Sequence, residues 1–280
     1  MKVTVLMENG ALEGCGLVSE HGLSVYIEYE GRKILLDAGA SGAFADNAQQ
    51  LGVDLSQVEL AVLSHGHYDH GDGLRRFFHV NEQARLYIRP DAMGPLFARD
   101  PDAVRFVGVH KDVWQMAAQR VAPVEGVVAL GDGIWLVPGT VHDPDFAGRA
   151  GNLVYKRGED DFVSDDFRHE QSLVFALGEN LVVFNSCSHS GIVNIVRGVN
   201  HQFPGRKVRA VLGGFHMFSS GPSGMNCTAD YVYAVADELK KLGVEEVWTG
   251  HCTGEPALTL LQERFGAGCH ALATGQVLTF

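Results

Sequence analysis

Short apolar runs broken by glycine set the rhythm of the first sixty residues. "KVTVLM" and "LSVYIEY" have strand character, "EGRK" supplies a hairpin turn, and "ILLDAG" makes a third strand that stops at a glycine. "SGAFADNAQQLGV" then sets Phe44, Ala48 and Leu51 at helical spacing, and "VELAVLSH" returns as a buried strand. Residues 74 to 128 hold no sustained period and read as helices and loops. After "GDGIWLVPGTVHDPDF", where Gly and Pro break a strand pattern, the polar stretch "KRGEDDFVSDDFRHEQ" (156–171) reads as a solvated loop, with a binding loop as the alternative. "SLVFALGENLVVFNSCSH" is a hairpin turning at "GEN", and "GIVNIVRGVNHQF" is helical. A strand in "VRAVLGGFHM" leads to the amphipathic helix "TADYVYAVADELKKLG", with Tyr231, Val235 and Leu239 on one side. "VEEVWTGHCTG" and "PALTLLQERFG" add a last strand and helix.

Composition narrows the setting. The chain has 280 residues, 46% of them hydrophobic, which suits one large α/β domain over residues 1–280, with 74–150 as a variable region on the substrate side. Its formal charge of −12 and the lack of a basic run argue against nucleic acid as a partner. Glu8 and Asn9 interrupt the first apolar run before a signal-peptide core could form, and no run approaches the ~18 apolar residues of a membrane span. Five cysteines without Cys-x-x-Cys spacing fit a reduced, cytoplasmic setting. A small-molecule substrate is expected, and a homo-oligomer is left open.

Histidine placement carries the chemistry. Four separate strand candidates end in a Gly or Ser turn followed by His: His65 and His67 in "AVLSHGH", His189 in "VVFNSCSH", His216 in "AVLGGFH" and His251 in "EVWTGH". Loops at one edge of a rigid sheet bring distant residues together, so these strand ends read as one site. His65, His67, Asp69 and His70 fall within six positions. Neutral imidazoles packed so densely need a shared partner, and a cation supplies it; nitrogen and carboxylate donors suit zinc, iron or manganese. His21, His79, His110, His201 and His270 read as incidental.

"LLDAG" followed by "SHGHYDHGDGL" resembles the metallo-β-lactamase superfamily, in which a strand-end Asp precedes a His-x-His-x-Asp-His loop. "SCSHSGIVNIV", "GGFHM" and "GHCTG" resemble its metal-dependent hydrolase subgroup, labelled by analogy with a dihydropterin ribofuranosylaminobenzene-phosphate synthase. The likeness covers residues 3–73 and 170–255. It implies a four-layer αββα sandwich and one or two zinc ions per chain, with iron or manganese as alternatives. By the same resemblance His65 and His67 match first-metal ligands, Asp69 and His70 with His251 match the second set, and Asp37 braces the ligand loop. The third first-metal ligand is expected to be His189, with His169 as the alternative. The usual bridging Asp has no counterpart, so Cys187 or solvent is left to fill its place. Cys187 and Cys252 adjoin these ligands; packing residues and metal neighbours are both open readings for them.

Such a site lowers the pKa of bound water toward ~7 and supplies hydroxide at neutral pH. The expected activity is metal-dependent hydrolysis of a small anionic ester or phosphoester. Asp69 would orient the water, as a ligand or as a base, and His216 would act beside the ligands or protonate the leaving group, with a metal ligand as the alternative. Two further readings stand beside it: an iron-dependent oxygenase of the sulfur dioxygenase kind, and a catalytically degenerate metal-binding protein.

Overall fold

The computed structural model describes residues 1–280 apart from Pro101, Val141 and Ala150, and divides into two compact units. The first comprises Met1–Glu125, Gly151–His169 and Ala273–Phe280; the second comprises Gly126–Ala150 and Glu170–Leu272.

A seven-stranded sheet organises the first unit, in the order Val277–Thr279, Lys2–Met7, Ser24–Tyr29, Arg32–Leu36, Leu60–Val62, Arg85–Ile88 and Val121–Pro123. Its first three pairings are antiparallel and its last three parallel. The hairpin read from "EGRK" forms as expected: Tyr29 pairs with Arg32, and Glu30 and Gly31 take φ of 47° and 78°. Positive φ at both central positions is the twist-matched turn that joins two strands tightly. Leu6, Tyr26, Leu35 and Ala61 from the strands pack with Phe44 and Ala48 of the helix Ala43–Gln50 and Phe77 of the helix Leu74–Val80. Each large side chain buried in this way contributes about 1.5–3 kcal/mol of transfer free energy.

The stretch 74–128, expected to be helices and loops, holds more strand than its sequence suggests. Arg85–Ile88 and Val121–Pro123 extend the main sheet. Leu96–Arg99 and Val104–Phe106 join Leu153–Lys156 and Phe162–Ser164 in a four-stranded antiparallel sheet. These strands span only three or four residues, too few to display a period of two, and Val104–Phe106 is exposed throughout. The expectation of a solvated loop over 156–171 is corrected by the same sheet. Phe162–Ser164 pairs with Leu153–Lys156 there, and His169, Glu170 and Gln171 are buried.

The second unit repeats the pattern of three antiparallel and three parallel pairings. Its order is Val128–Gly131, Ile134–Pro138, Gln171–Leu177, Asn180–Phe184, Lys207–Leu212, Glu246–Thr249 and Cys269–Ala271. Val183, Val208, Val211 and Val247 pack with Val196 of the helix Ile192–Gln202, Val235 and Leu239 of Ala229–Lys241, and Leu261 of Glu255–Phe265. Thr228 Oγ1 accepts from the Tyr231 N–H to start the middle helix, and Lys240 and Lys241 complement the dipole at its end. No helix among the described residues is long and apolar enough to cross a membrane.

Candidate metal centre

Parallel pairing in the first unit places Asp37 beside the histidine loop. Leu36 stands opposite Val62, and the Asp37 N–H donates to the Val62 carbonyl at 2.9 Å, so the chain leaves both strands at one level. Asp37 sits at φ 56°, a left-handed conformation that Asp tolerates better than most residues. Its carboxylate accepts the Ser64 N–H at 2.7 Å on Oδ1, and the Ser64 hydroxyl at 2.7 Å and His70 Nδ1 at 2.8 Å on Oδ2. Ser64 Oγ lies 2.8 Å from His65 Nδ1. With its own proton given to Asp37, that oxygen accepts from Nδ1–H. Both rings are thus braced at Nδ1, which sets Nε2 as the coordinating nitrogen.

The rings gather closely, with the His65 centroid 4.6 Å from that of His67 and 4.2 Å from that of His70. Burial pushes the His67 imidazole down to about 3, reinforced by His169 and opposed by Asp69 and Asp165. His67 is therefore neutral and keeps a nitrogen lone pair. Burial would lower His70 as well, but Asp69 and Asp37 beside it override this and raise it to about 10. Asp69 Oδ2 lies 3.5 Å from His70 Nε2 and 3.4 Å from His21 Nε2. His21, read as incidental, is thus a neighbour of the acidic loop residue; a single His in "SEHGL" carries no motif that would reveal it. His110 contacts the Asp72 carboxylate through both its backbone N–H and its ring.

Gly66 lets the loop fit. A Cβ there would stand 2.5 Å from the Ala92 carbonyl oxygen, and the Gly66 N–H donates to His169 Nδ1 at 3.1 Å. The other nitrogen of His169 lies 3.0 Å from Asp165 Oδ2. His169 lies in the stretch that reads as a solvated loop. It is only 1% exposed, stacked 6.1 Å from His65, with both ring nitrogens engaged. It braces the loop. His169→Gln, which can keep one of the two bonds, is expected to retain metal on elemental analysis; loss of metal equal to that in His65→Ala would make it a ligand.

In the second unit, His189, His216 and His251 follow Asn180–Phe184, Lys207–Leu212 and Glu246–Thr249, three adjacent parallel strands. Phe184 stands opposite Leu212, and Leu212 opposite Trp248, so the three loops start from one edge. Buried Glu170 accepts the N–H groups of His189 and Ser190 at 2.6 and 2.9 Å. Asn185 Oδ1 accepts the Ser188 N–H at 2.6 Å. The His189 and His216 rings are 4.4 Å apart, and His216 Nδ1 meets no hydrogen-bond partner among the described residues. Cys187, His189 and His216 offer ligand atoms all within 4.8 Å of one another, as do Cys187, His251 and Cys252. Burial works to raise the Cys252 thiol, but the Cys187 thiol, His251 and His216 together hold it well below its usual value. Sequence reasoning passed over Ser64, Asp165, Glu170 and Asn185; the last two are the buried acceptors on which this loop is built.

The donor set suits a borderline divalent cation. Buried imidazoles, those of His65 and His70 held at Nδ1, and the Asp69 carboxylate are donors that zinc, iron and manganese share; the second unit by itself offers imidazoles and thiols, which suit zinc and iron. An α/β protein with paired half-parallel sheets and such strand-end donors defines a class, and the class has a family: residues 19–163 match the model of the metallo-beta-lactamase superfamily, and the chain belongs to it. Its fold is that of the superfamily, as the strand-end motifs imply. The chain is 26% identical to a 7,8-dihydropterin-6-methyl-4-(β-D-ribofuranosyl)-aminobenzene-5'-phosphate synthase of Methanocaldococcus jannaschii, covering 100% of this chain and 97% of that protein. An uncharacterized protein of the same organism is also 26% identical, over 93% of this chain and 94% of its own length. Among solved structures, Tm1679, a metal-dependent hydrolase of the β-lactamase superfamily, superposes with a TM-score of 0.82 at 28% identity, covering 100% of this chain and 99% of that one.

Proposed function

We propose that this chain is a metal-dependent hydrolase of a small anionic ester or phosphoester. The ligands that the superfamily motifs imply are His65, His67, Asp69, His70, His189 and His251. The observation that carries this reading is the Asp37 brace, which fixes Ser64 and His70 through three buried hydrogen bonds and His65 through the Ser64 hydroxyl. A buried carboxylate spent on orienting imidazoles is the arrangement that raises ligand basicity and holds a metal's coordination geometry. When bound, the metal supplies Lewis acidity and an acidified water. Asp69, only 8% exposed and set between His21 and His70, would orient a water there and accept its proton. His216 is the proton donor to the leaving group. The phosphate in the name of the Methanocaldococcus jannaschii relative supports an anionic substrate class.

Protein purified without chelator is expected to carry about one to two transition-metal ions per chain and to hydrolyse at least one member of a panel of phosphomonoesters, phosphodiesters, thioesters and lactones. Chelation should abolish turnover, and zinc, iron or manganese should restore it. Turnover indifferent to chelator, or protein that takes up none of these metals, would remove the reading.

A further inference from the structure

Cys269 shows what a packing cysteine looks like in this protein. It lies in the apolar core of the second unit with Val247, Leu261 and Phe265. Cys187 and Cys252 are also buried, but with histidine nitrogens within reach. Sixty-five positions apart in sequence, their sulfurs approach to 3.2 Å. The His216 N–H donates to Cys252 Sγ at 3.3 Å, and Gly214 leaves the space that this sulfur occupies, since a Cβ there would run into it. Ligand atoms of Cys187, Cys252 and His251 all fall within 4.8 Å of one another. Two thiols that only filled space would gain nothing from imidazole neighbours. A cation drawn to sulfur and imidazole nitrogen together finds both kinds of donor within reach here.

We propose that Cys187 and Cys252, together with His251, bind a thiophilic divalent cation through sulfur. The inference rests on the proposed function only in taking His251 as a ligand. It adds a soft donor pair that the histidine loop lacks. On binding, each thiol gives its proton to solvent, and the two thiolates balance the charge of the ion. Sulfur donors favour zinc, iron(II), cobalt or cadmium and disfavour magnesium and calcium. Cys187 also neighbours His189 and His216, so an ion held here would take in the ends of all three adjacent strands.

The test uses cobalt(II) on the full-length, reduced protein under anaerobic conditions. A sulfur-to-cobalt charge-transfer absorption in the near ultraviolet should rise with bound cobalt. It should fall by about half or more in Cys187→Ser and in Cys252→Ser, since each change removes one cobalt–sulfur bond, and stay unchanged in Cys269→Ser. The wild-type spectrum decides the matter even if a variant fails to fold. Cobalt taken up, by elemental analysis, without the sulfur band overturns the inference and leaves the hydrolase reading standing. Absence of any cobalt uptake overturns both. A Cys187–Cys252 disulfide found by non-reducing peptide mapping in protein that shows no sulfur band after reduction overturns sulfur ligation alone.

Discussion

Asp37→Gly is expected to destabilise the metal-free protein by about 3–5 kcal/mol, the range for removing one partner of a buried ion pair, and to weaken metal binding by about 10–100-fold. Glycine is the informative replacement because the native φ of 56° suits it, so the backbone is not strained and the loss reports the carboxylate. Three donors lose their acceptor at once: the Ser64 N–H, the Ser64 hydroxyl and His70 Nδ1. The pair Asp37–His70 is wholly buried, so water cannot step in. Asp37→Asn keeps one acceptor oxygen and a residue tolerant of left-handed φ, and should fall between the two. Chemical denaturation and a zinc titration measure both effects. An Asp37→Gly protein with the wild-type unfolding midpoint and wild-type zinc affinity would show that the loop is held by something else.

His67→Ala and Asp69→Ala should each lower hydrolysis by about 100-fold or more and strip metal, with the far-ultraviolet circular dichroism unchanged. The fold survives because these residues lie after the strand Leu60–Val62, outside the core that Phe44 and Phe77 fill. The loop's position is held from elsewhere, with Tyr68 N–H on the Val107 carbonyl and Val109 N–H on the Gly66 carbonyl. His67 should be the more sensitive for metal because burial keeps it neutral, and no proton competes with the ion there. His21→Ala is the graded control. It removes a half-exposed neighbour of Asp69, a contact of small energetic weight, so metal should be retained. Equal metal loss in His21→Ala and His67→Ala would move the site away from the His65–His70 loop.

The sequence displays the donors and hides the acceptors that orient them. His65, His67, Asp69 and His70 stand close together in the chain, and each later histidine follows an apolar run, so density and strand-end position were enough to single them out. Ser64, Glu170 and Asn185 act through one or two hydrogen bonds to loop backbone or to a neighbouring ring, a role that any polar residue in a turn could claim. Glu170 was obscured further by the acidic residues just before it, which made the whole stretch look solvated. Asp165 and His169 satisfy each other, and mutual pairing is what allowed polar sequence to be buried there. The approach of Cys187 to Cys252 had no sequence signal because it depends on the parallel pairing of strands two removed from each other in the sheet. Long strands and helices were visible; three-residue strands were not, since their pairing comes from neighbours already in place.

Adjacent strands in a sheet stand about 4.8 Å apart whatever side chains they carry. Asn180–Phe184, Lys207–Leu212 and Glu246–Thr249 therefore work as a ruler, with His189, His216 and His251 mounted at successive graduations. Exchanging the residue on one mount changes the chemical group offered there, while the strands beneath hold the spacing. Selection acting on the strand-end loops can thus try new metals and new reactions one position at a time, while the valines beneath them keep the scale.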